Sequence, residues 1–201
     1  MHFNRLRGRF SATVLLLSAL VVPGQAKTRS ATVSPAMSKA SVPASNIRID
    51  NFGRVNSNYY RGAQPNADDY KDLAGLGIKT VIDLTQDGRD DEPGLVKAAG
   101  MAFYRIPLTT TERPADAAVA QFLQLVNDPV NQPVYVHCQG GRHRTGAMTA
   151  VYQMTHDGLT ADRAYQQMKQ FKFEGFPGHP ELKSFVYDYY AQLAHAQLLL
   201  P

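Results

Sequence analysis

The segment HCQGGRHRTG, residues His137–Gly146, lies between two apolar runs. The run before it, Pro133–His137, has the length and composition of a buried strand. The run after it, Thr145–Met154, is apolar nearly all round, which predicts a central helix. A strand, a glycine-containing loop and a helix in this order form a cradle for an anion, because backbone N–H groups converge where the loop meets the helix.

The residue types in this loop suit a phosphoryl group. Gly140 and Gly141 let the backbone approach an anion closely, and Arg144 offers a planar guanidinium to two phosphate oxygens. Cys138, the only cysteine of the chain, lies at the floor, where a helix N-terminus and nearby cations favour the thiolate. We therefore predict that Cys138 is a nucleophile and that the backbone amides from Gln139 to Arg144 hold the phosphate oxygens.

Two other interpretations of the segment are weaker. A lone cysteine is ordinarily a small buried apolar residue, but here it stands at a set distance from glycine, arginine and threonine. A Walker loop would need Gly-Lys-Ser or Gly-Lys-Thr after the glycines, and the sequence has Arg142 and His143 there instead.

At these residues the sequence resembles the protein tyrosine phosphatase superfamily. His137-Cys138, Arg144 and Thr145-Gly146 match its signature. The finer pattern resembles the small dual-specificity branch, both its secreted bacterial enzymes and the atypical plant and fungal enzymes, some of which act on inositol pyrophosphates. The resemblance covers about residues 59–173.

The resemblance implies a role for each residue of the signature. Cys138 would form a phosphocysteine intermediate, and Arg144 would bind the phosphate. His137 would order the loop and tune the thiolate, whereas Thr145 would help to turn over the intermediate. The outer loop residues Arg142 and His143 are either solvated or positioned to receive a second anionic group.

The rest of the chain predicts an α/β fold with a central mixed or parallel sheet of four to five strands flanked by helices, the small cysteine-phosphatase fold. Five segments have strand character: 47–55, 58–61, 79–84, 101–107 and 133–137. Helices are predicted from a cap at Asn66 to Gly77, then over 95–99, 115–126, 145–154, 161–171 and 181–200. Because loops collect at the carboxyl ends of the strands, the loop Thr109–Asp116 should lie beside Cys138.

Phosphoryl transfer needs a carboxylic acid to protonate the leaving oxygen and then to activate water. Glu112 has no evident structural role and lies where the acid of the secreted bacterial enzymes lies, although that acid is usually aspartate. Pro114 suits the first position of a helix, which would place Asp116 third, where it favours the helix dipole. Glu112 is therefore the predicted acid, and Asp116 and the acidic loop Asp87–Glu92 are alternatives.

The sequence predicts neither a metal nor another cofactor. The acidic residues between 87 and 92 match no calcium loop and are interpreted as a solvated loop. His156 and His179 are interpreted as ordinary polar histidines, since no metal-ligand spacing is present.

The N-terminus predicts export. Arg5, Arg7 and Arg9 precede an apolar run over Ala12–Val22 and small residues near Ala26, so residues 1–26 are interpreted as a signal peptide; the alternative is an uncleaved anchor. Residues 27–46 are rich in Ser, Ala, Thr and Pro, typical of a disordered linker, and residues 47–201 form the predicted catalytic domain.

The net charge of the chain does not indicate a particular class of binding partner. Three of the 21 basic residues lie in the leader, which leaves 18 against 17 acidic residues. The sequence lacks a basic tract with interleaved aromatic residues, which argues against nucleic-acid binding. The expected protein is a monomer that acts on a phosphorylated protein or a small phosphorylated substrate, periplasmic or secreted, and touches a membrane only through an uncleaved leader.

The sequence thus predicts an exported, cysteine-dependent phosphatase for phosphotyrosine, with phosphoserine and phosphothreonine as further substrates. One alternative is an inositol polyphosphate or pyrophosphate phosphatase, in which Arg142 and His143 bind the substrate and Lys169 and Lys172 add charge at the rim. Another is a pseudophosphatase that binds phosphorylated partners without turnover. Arsenate reduction usually recruits additional cysteines, and this chain has one.

Overall fold

Five strands form one sheet in the order β1-β2-β5-β3-β4. The structure, a computed structural model, describes residues 47–175 and 177–198. The strands are β1 (Gly53–Arg54), β2 (Tyr59–Ala63), β3 (Thr80–Thr85), β4 (Ala102–Leu108) and β5 (Val134–Cys138). β1 pairs antiparallel with β2, and the other pairs are parallel. The predicted mixed sheet is therefore confirmed.

The three inner strands are buried along their whole length. Every residue of β2, β3 and β5 is buried, as expected of parallel strands that are covered on both faces by helices. β5 lies between β2 and β3. Its last residue, Cys138, therefore emerges at the middle of the carboxyl edge of the sheet, where ligands bind in open α/β folds.

Six helices complete the described part of the chain. They are α1 (Asp69–Gly75), α2 (Glu92–Ala98), α3 (Asp116–Asn127), α4 (Arg144–His156), α5 (Ala161–Gln170) and α6 (Pro180–Leu198). Residues Arg144 to Met154 of α4 are all buried, which confirms the predicted central helix. Among the described residues, none of the helices is both long and apolar enough to cross a membrane.

The helices divide between the two faces of the sheet. Ile82 and Val136 pack in one apolar cluster with residues of α3, α4, α5 and α6. Their strand neighbours Val81 and Tyr135 pack in a second cluster with residues of α1 and α2. Successive side chains of a strand point to opposite faces, so α4 covers the face on which Cys138 also lies. Each fully buried Val or Ile contributes about 1.5–3 kcal/mol to this arrangement.

Three local predictions were wrong. Only residues 53–54 of the predicted strand 47–55 pair with β2. α1 begins at Asp69 rather than after Asn66, whose N–H instead donates to the Asp69 carboxylate. α3 begins at Asp116 because Ala115 has an extended backbone. Pro114 therefore lies outside the helix, and Asp116 is its first residue instead of its third.

The predicted signal peptide, residues 1–26, and the predicted linker, residues 27–46, lie outside the described residues. The described residues belong to one compact unit that spans Lys39–Pro201.

Candidate active site

The loop at residues 138–144, here called the Cys138 loop, joins β5 to α4. Cys138 is only 3% exposed, and Arg144 is the first residue of α4. The loop therefore closes onto the N-terminus of a buried helix, where free backbone N–H groups and the helix dipole favour negative charge.

Contacts outside the Cys138 loop orient its peptide groups. Three consecutive carbonyls of the loop each accept a hydrogen bond from the segment 51–64. The donors are the Gln64 N–H to Gln139 (3.1 Å), Asn51 Nδ2 to Gly140 (2.8 Å) and Arg61 Nη2 to Gly141. In a trans peptide the N–H points opposite to the C=O. Since these carbonyls are held outward, the N–H groups of residues 140–142 face the concave side of the loop, which is the arrangement of an anion-binding nest.

Gly141 packs directly against the end of β2. Its φ is +63°, a left-handed conformation that favours glycine. A Cβ at this position would overlap the carbonyl group of Gly62 and the backbone nitrogen of Ala63. The close approach of the two backbones, together with the bond from Arg61, places the loop against β2.

Arg144 and Thr145 present polar atoms to the loop interior. Arg144 is 8% exposed, and its Nη1 donates to the Leu108 carbonyl at 3.1 Å. Nε of Arg144 and Oγ1 of Thr145 are buried and have no hydrogen-bond partner among the described residues. Buried polar groups ordinarily have partners, so these atoms are available to phosphoryl oxygens or to the sulfur of Cys138.

Two cavities open above the Cys138 loop. One has a volume of about 350 Å³ and is lined by Thr110, Cys138, Gln139, Gly140, Arg142, His143, Arg144 and His179. The other has a volume of about 520 Å³ and is lined by Gln86, Asp87, Leu108, Thr109, Thr110, Thr111, Gln139 and Arg144. The loop that follows β4 therefore lies beside the Cys138 loop, as predicted.

Two histidines form one wall of the smaller cavity. The rings of His143 and His179 lie 3.8 Å apart between centroids, and Nδ1 of His179 lies 3.1 Å from the Thr110 carbonyl oxygen. Because a carbonyl only accepts, Nδ1 carries the proton in that bond. Burial, followed by the neighbouring His179, lowers the pKa of His143 to about 4, so the His143 ring is neutral at neutral pH.

His137, which precedes the cysteine, is fully buried against a carboxylate. Its Nε2 lies 2.9 Å from Oε1 of Glu92, at an angle outside that of a hydrogen bond, and the Tyr70 hydroxyl donates to the same oxygen at 2.8 Å. Burial opposes ionisation of Glu92, but the neighbouring His137 and the Tyr70 hydroxyl outweigh it and hold the pKa of Glu92 below its ordinary value. Glu92 is therefore ionised beneath the loop.

Asp83, Glu92 and His137 bring ligand-type atoms within 4.8 Å of one another, the kind of cluster that can hold a metal ion. The Asp83 carboxylate, however, already accepts from Arg105 Nε at 2.7 Å and from Thr85 Oγ1 at 2.7 and 2.8 Å. A cation would have to displace these donors. The cluster therefore fits an internal ion-pair network better than a metal centre.

The candidate acids do not reach the cavities equally. The residues that line the two cavities include Asp87 but neither Glu112 nor Asp116, both of which are exposed. Oδ1 of Asp87 lies 3.8 Å from Nη1 of Arg144. Glu112 directly follows the lining residue Thr111, and its N–H donates to Thr109 Oγ1 at 3.1 Å. The acid role of Glu112 stays a prediction.

Sequence reasoning missed several residues of the site. Glu92 was assigned to a solvated loop and is fully buried, because Tyr70 and His137 enclose its carboxylate; Asp87, Asp90 and Asp91 are exposed as expected. His179 was interpreted as an ordinary polar residue and lines the cavity instead. The sequence signal that could have found Glu92 and His179 was an ionisable residue in a loop at the carboxyl edge of the sheet. Such a position by itself marks only a candidate.

Asn51 and Arg61 were missed because their function is structural support from a distant strand. The sequence signal that could have found Arg61 was its position in the segment 60–65, which the resemblance to the phosphatases includes. No pattern in the sequence indicated that its side chain reaches the Cys138 loop, 80 residues away along the chain.

Comparisons with known proteins agree with this geometry. A family model described as a DSP-PTPase phosphatase fused to NAD+ kinase matches residues 41–183. The dual specificity protein phosphatase TpbA of Pseudomonas aeruginosa is 31% identical over 163 residues, which cover 81% of this chain and 71% of TpbA. The inositol diphosphatase SIW14 of Saccharomyces cerevisiae is 27% identical over 108 residues, which cover 51% of this chain and 38% of SIW14.

Solved structures share the fold. The crystal structure of P. aeruginosa TpbA in complex with phosphotyrosine matches with a TM-score of 0.62 at 24% identity, over 81% of this chain and 99% of that one. The core catalytic domain of SIW14 in complex with citrate matches with a TM-score of 0.63 at 21% identity, over 80% of this chain and 98% of that one. The family model and the identity to TpbA confirm what the signature predicts: the chain belongs to the dual-specificity phosphatases of the protein tyrosine phosphatase superfamily.

Proposed function

We propose that the protein hydrolyses phosphate monoesters through a covalent phosphocysteine intermediate on Cys138. The observation that carries this proposal is the set of outward-held carbonyls at residues 139–141, which turns three backbone N–H groups toward the space above the sulfur. Such a nest is complementary to the three equatorial oxygens of a phosphoryl group in transfer.

In the first step the Cys138 thiolate attacks phosphorus, and the bond from phosphorus to the leaving oxygen breaks. Arg144 and the loop amides hold the three equatorial oxygens. Glu112 donates a proton to the leaving oxygen, a role supported by its position after the lining residue Thr111 and by the resemblance to the bacterial enzymes. In the second step water attacks phosphorus, its proton passes to Glu112, and the sulfur–phosphorus bond breaks. The Thr145 hydroxyl, which lacks a partner among the described residues, stabilises the sulfur as it leaves.

The proposed substrate is phosphotyrosine, with phosphoserine and phosphothreonine as further substrates. The support is the similarity to TpbA, a dual specificity protein phosphatase whose crystal structure contains phosphotyrosine. The cavity above Cys138, about 350 Å³, lies within the usual size range of small-ligand sites.

A second candidate substrate is an inositol polyphosphate or pyrophosphate. Arg142, His143 and His179 line the cavity above Cys138, where they would meet a second phosphate group on the ring. The similarity to the inositol diphosphatase SIW14 supports the same class. Because the pKa of His143 is about 4, Arg142 would supply the charge and His143 only a hydrogen bond.

The proposed location is the periplasm or the exterior of the cell, supported by the basic residues and apolar run at the N-terminus. Cell fractionation with an antibody against the catalytic domain tests this. Recovery of the protein in the cytosolic fraction with residues 1–26 intact would contradict export.

One experiment separates the functions. Phosphate release is measured from a phosphotyrosine peptide and from an inositol pyrophosphate, with Cys138→Ser as the blank and Arg142→Ala as the specificity variant. We expect release mainly from the peptide and none from Cys138→Ser, which should still bind phosphate. If phosphate is released mainly from the inositol substrate and this release is lost in Arg142→Ala, the protein is an inositol polyphosphate or pyrophosphate phosphatase. Tight binding of phosphate without turnover by the wild type would identify a pseudophosphatase and contradict the proposal.

A further inference from the structure

Arg61 lies beneath the Cys138 loop and is almost fully buried. Its exposed fraction is 1%, and its Nη2 donates to the Gly141 carbonyl. The ring of Phe171 covers the guanidinium, with the ring centroid 4.0 Å from Cζ. Arg61 is therefore a cation enclosed between the end of β2, the Cys138 loop and the end of α5.

The described part of the chain offers Arg61 no carboxylate. None of the ion pairs between described residues includes it, and its Nε has no hydrogen-bond partner among them. Burial lowers the pKa of Arg61 to about 10, so it remains charged at neutral pH. A buried charge without a counter-charge is strongly unfavourable. Another group must therefore compensate the charge of Arg61.

The Cys138 loop, whose Gly141 carbonyl accepts a hydrogen bond from Arg61, also carries Cys138. Arg61 is in register with Val136, and Ala63 is in register with Cys138. Residues in register on parallel strands share a face, so Arg61 and Cys138 project from the same face of the sheet. Burial lowers the pKa of Arg61, and negative charge placed at Cys138 is among the smaller influences that would raise it.

The other titratable groups around Arg61 do not compensate its charge. Burial raises the pKa of Tyr59 and of Tyr135 well above the ordinary value, so both are neutral. From β1, Arg54 lines the same small cavity as Arg61 and is itself a cation. The cavity residues from α4, from α5 and from the position after α5 are uncharged: Thr149, Gln153, Gln167, Gln170 and Phe171.

We propose that Arg61 is a positioning residue of the active site whose charge stabilises the anionic Cys138 loop, as the thiolate in the free enzyme and as the phosphoryl group in the intermediate. The proposal rests on the proposed role of Cys138 as the nucleophile. Arg61 acts in a second way through Gly141. Its bond to the Gly141 carbonyl polarises the peptide whose N–H belongs to Arg142, which strengthens that donor toward the phosphate.

Two substitutions test the charge of Arg61. Arg61→Gln removes the charge and leaves a shorter polar side chain, whereas Arg61→Lys keeps the charge and an N–H donor. The measurement is the rate of alkylation of Cys138 by iodoacetamide as a function of pH, which reports the thiolate directly. We expect the midpoint of this profile to move up by about one pH unit in Arg61→Gln, because a nearby opposite charge stabilises an ionised group by that order. Arg61→Lys should keep the wild-type midpoint.

The matched control is Arg54→Gln, which removes a neighbouring cation that donates to Asn56 and stacks on Tyr60 and that forms no hydrogen bond or ion pair with the Cys138 loop among the described residues. It should keep both the wild-type midpoint and the wild-type rate of phosphate release. A folded Arg61→Gln variant with an unchanged midpoint, or an Arg61→Lys variant shifted as far as Arg61→Gln, would overturn the proposal.

A measurement on unaltered Arg61 covers the case in which Arg61→Gln does not fold, as judged by circular dichroism. The Nε–H signal of Arg61 is followed by NMR through the pH range of the alkylation profile. It should titrate with Cys138 in the wild type and stay constant in Cys138→Ala; a signal that does not move in the wild type would overturn the proposal. Phosphate release by the wild type tests the proposed function separately, since alkylation does not depend on turnover.

Discussion

Nε2 of His137 lies 2.9 Å from Oε1 of Glu92, and both side chains are fully buried. His137 immediately precedes Cys138 in β5, whereas Glu92 is the first residue of α2. The ionised Glu92 therefore contacts His137, the residue next to the proposed nucleophile. The contact lies on the face of the sheet opposite to the one that α4 covers. We expect this contact to link the stability of the fold to the order of the Cys138 loop.

Replacement of Glu92 by glutamine should destabilise the protein and slow catalysis together. Glu92→Gln keeps the shape of the side chain but leaves His137 and Arg105 without this carboxylate, which lies 3.8 Å from Arg105 Nη2. Breaking a buried ion pair on one side costs about 3–5 kcal/mol, and we expect a loss near the lower bound because the amide retains a hydrogen-bonding oxygen. Urea unfolding and kcat/KM for an aryl phosphate measure the two effects.

The control for Glu92→Gln is Asp91→Asn, the neighbouring carboxylate. Asp91 is exposed and pairs with the exposed Arg89 at 2.6 Å, and surface pairs of this kind contribute about 0–1 kcal/mol. Equal losses of stability in the two variants would show that the His137–Glu92 contact contributes no more to the free energy of unfolding than the exposed Arg89–Asp91 pair does.

Gly141→Ala should displace the Cys138 loop. The substitution imposes a side chain at φ +63° and an overlap with the backbone of Gly62, so the loop must move. A displacement of about 1 Å at the reacting atoms lowers the rate by about a hundredfold. We expect that fall in kcat/KM, measured on an aryl phosphate.

Gly77→Ala is the matched control for Gly141→Ala. Gly77 also has a positive φ, +87°, but a Cβ there would meet no atom within 4 Å. It should lose about 1 kcal/mol of stability from backbone conformation alone and retain wild-type kcat/KM. Similar activity losses in both variants would mean that positive φ, not the approach to Gly62, accounts for the effect.

Glu112→Gln should slow poor leaving groups more than good ones. An acid that protonates the leaving oxygen contributes about 10²–10⁴-fold, and the contribution grows with the basicity of that oxygen. The measurement is kcat for a series of aryl phosphates of increasing leaving-group basicity, compared between wild type and variant.

Asp87→Asn provides the comparison for Glu112→Gln. Asp87 lies 3.8 Å from Arg144, so its loss should affect all leaving groups about equally through the arginine. If Asp87→Asn instead shows the steeper dependence on the leaving group, Asp87 is the acid and Glu112 is not.

The stability of the protein should fall as the pH is lowered through the range in which His143 is neutral only in the folded state. Its folded pKa is about 4, against an ordinary 6.5. Between these values the unfolded chain binds a proton that the folded chain does not, so the free energy of unfolding rises with pH. The contribution is complete above pH 6.5 and is lost as the pH falls to about 4.

His143→Gln should flatten this pH dependence. Urea unfolding of wild type and variant is compared across the interval from pH 4 to pH 6.5. His195→Gln, at an exposed position of α6, is the control and should keep the wild-type slope. A slope that is unchanged in His143→Gln would contradict the assignment of a half-buried imidazole that is neutral in the folded state.

Much of the fold followed from local patterns. The buried strand before Cys138 and the central helix after it were predicted within two residues of their observed ends, because a short apolar run and a helix apolar on all sides each have one stable location, the interior. The first residues of the helices were predicted less accurately. Asn66 and Pro114 are residues typical of helix starts, yet α1 and α3 begin two or three residues later, since tertiary packing outweighs such weak preferences.

The sequence by itself determined the chemistry of the site: a cysteine, two glycines, an arginine and a threonine within residues 138–145, where a strand leads into a helix. Consecutive residues shape a loop through their own backbone preferences, so the cradle at Cys138 could be inferred without any long-range contact. The tertiary structure decided what supports that cradle. Asn51 and Arg61 hold its carbonyls from 89 and 80 residues away, Glu92 approaches His137 from another helix, and His179 closes the cavity. These contacts depend on the order and register of the strands, which bring distant residues together and which no local pattern encodes.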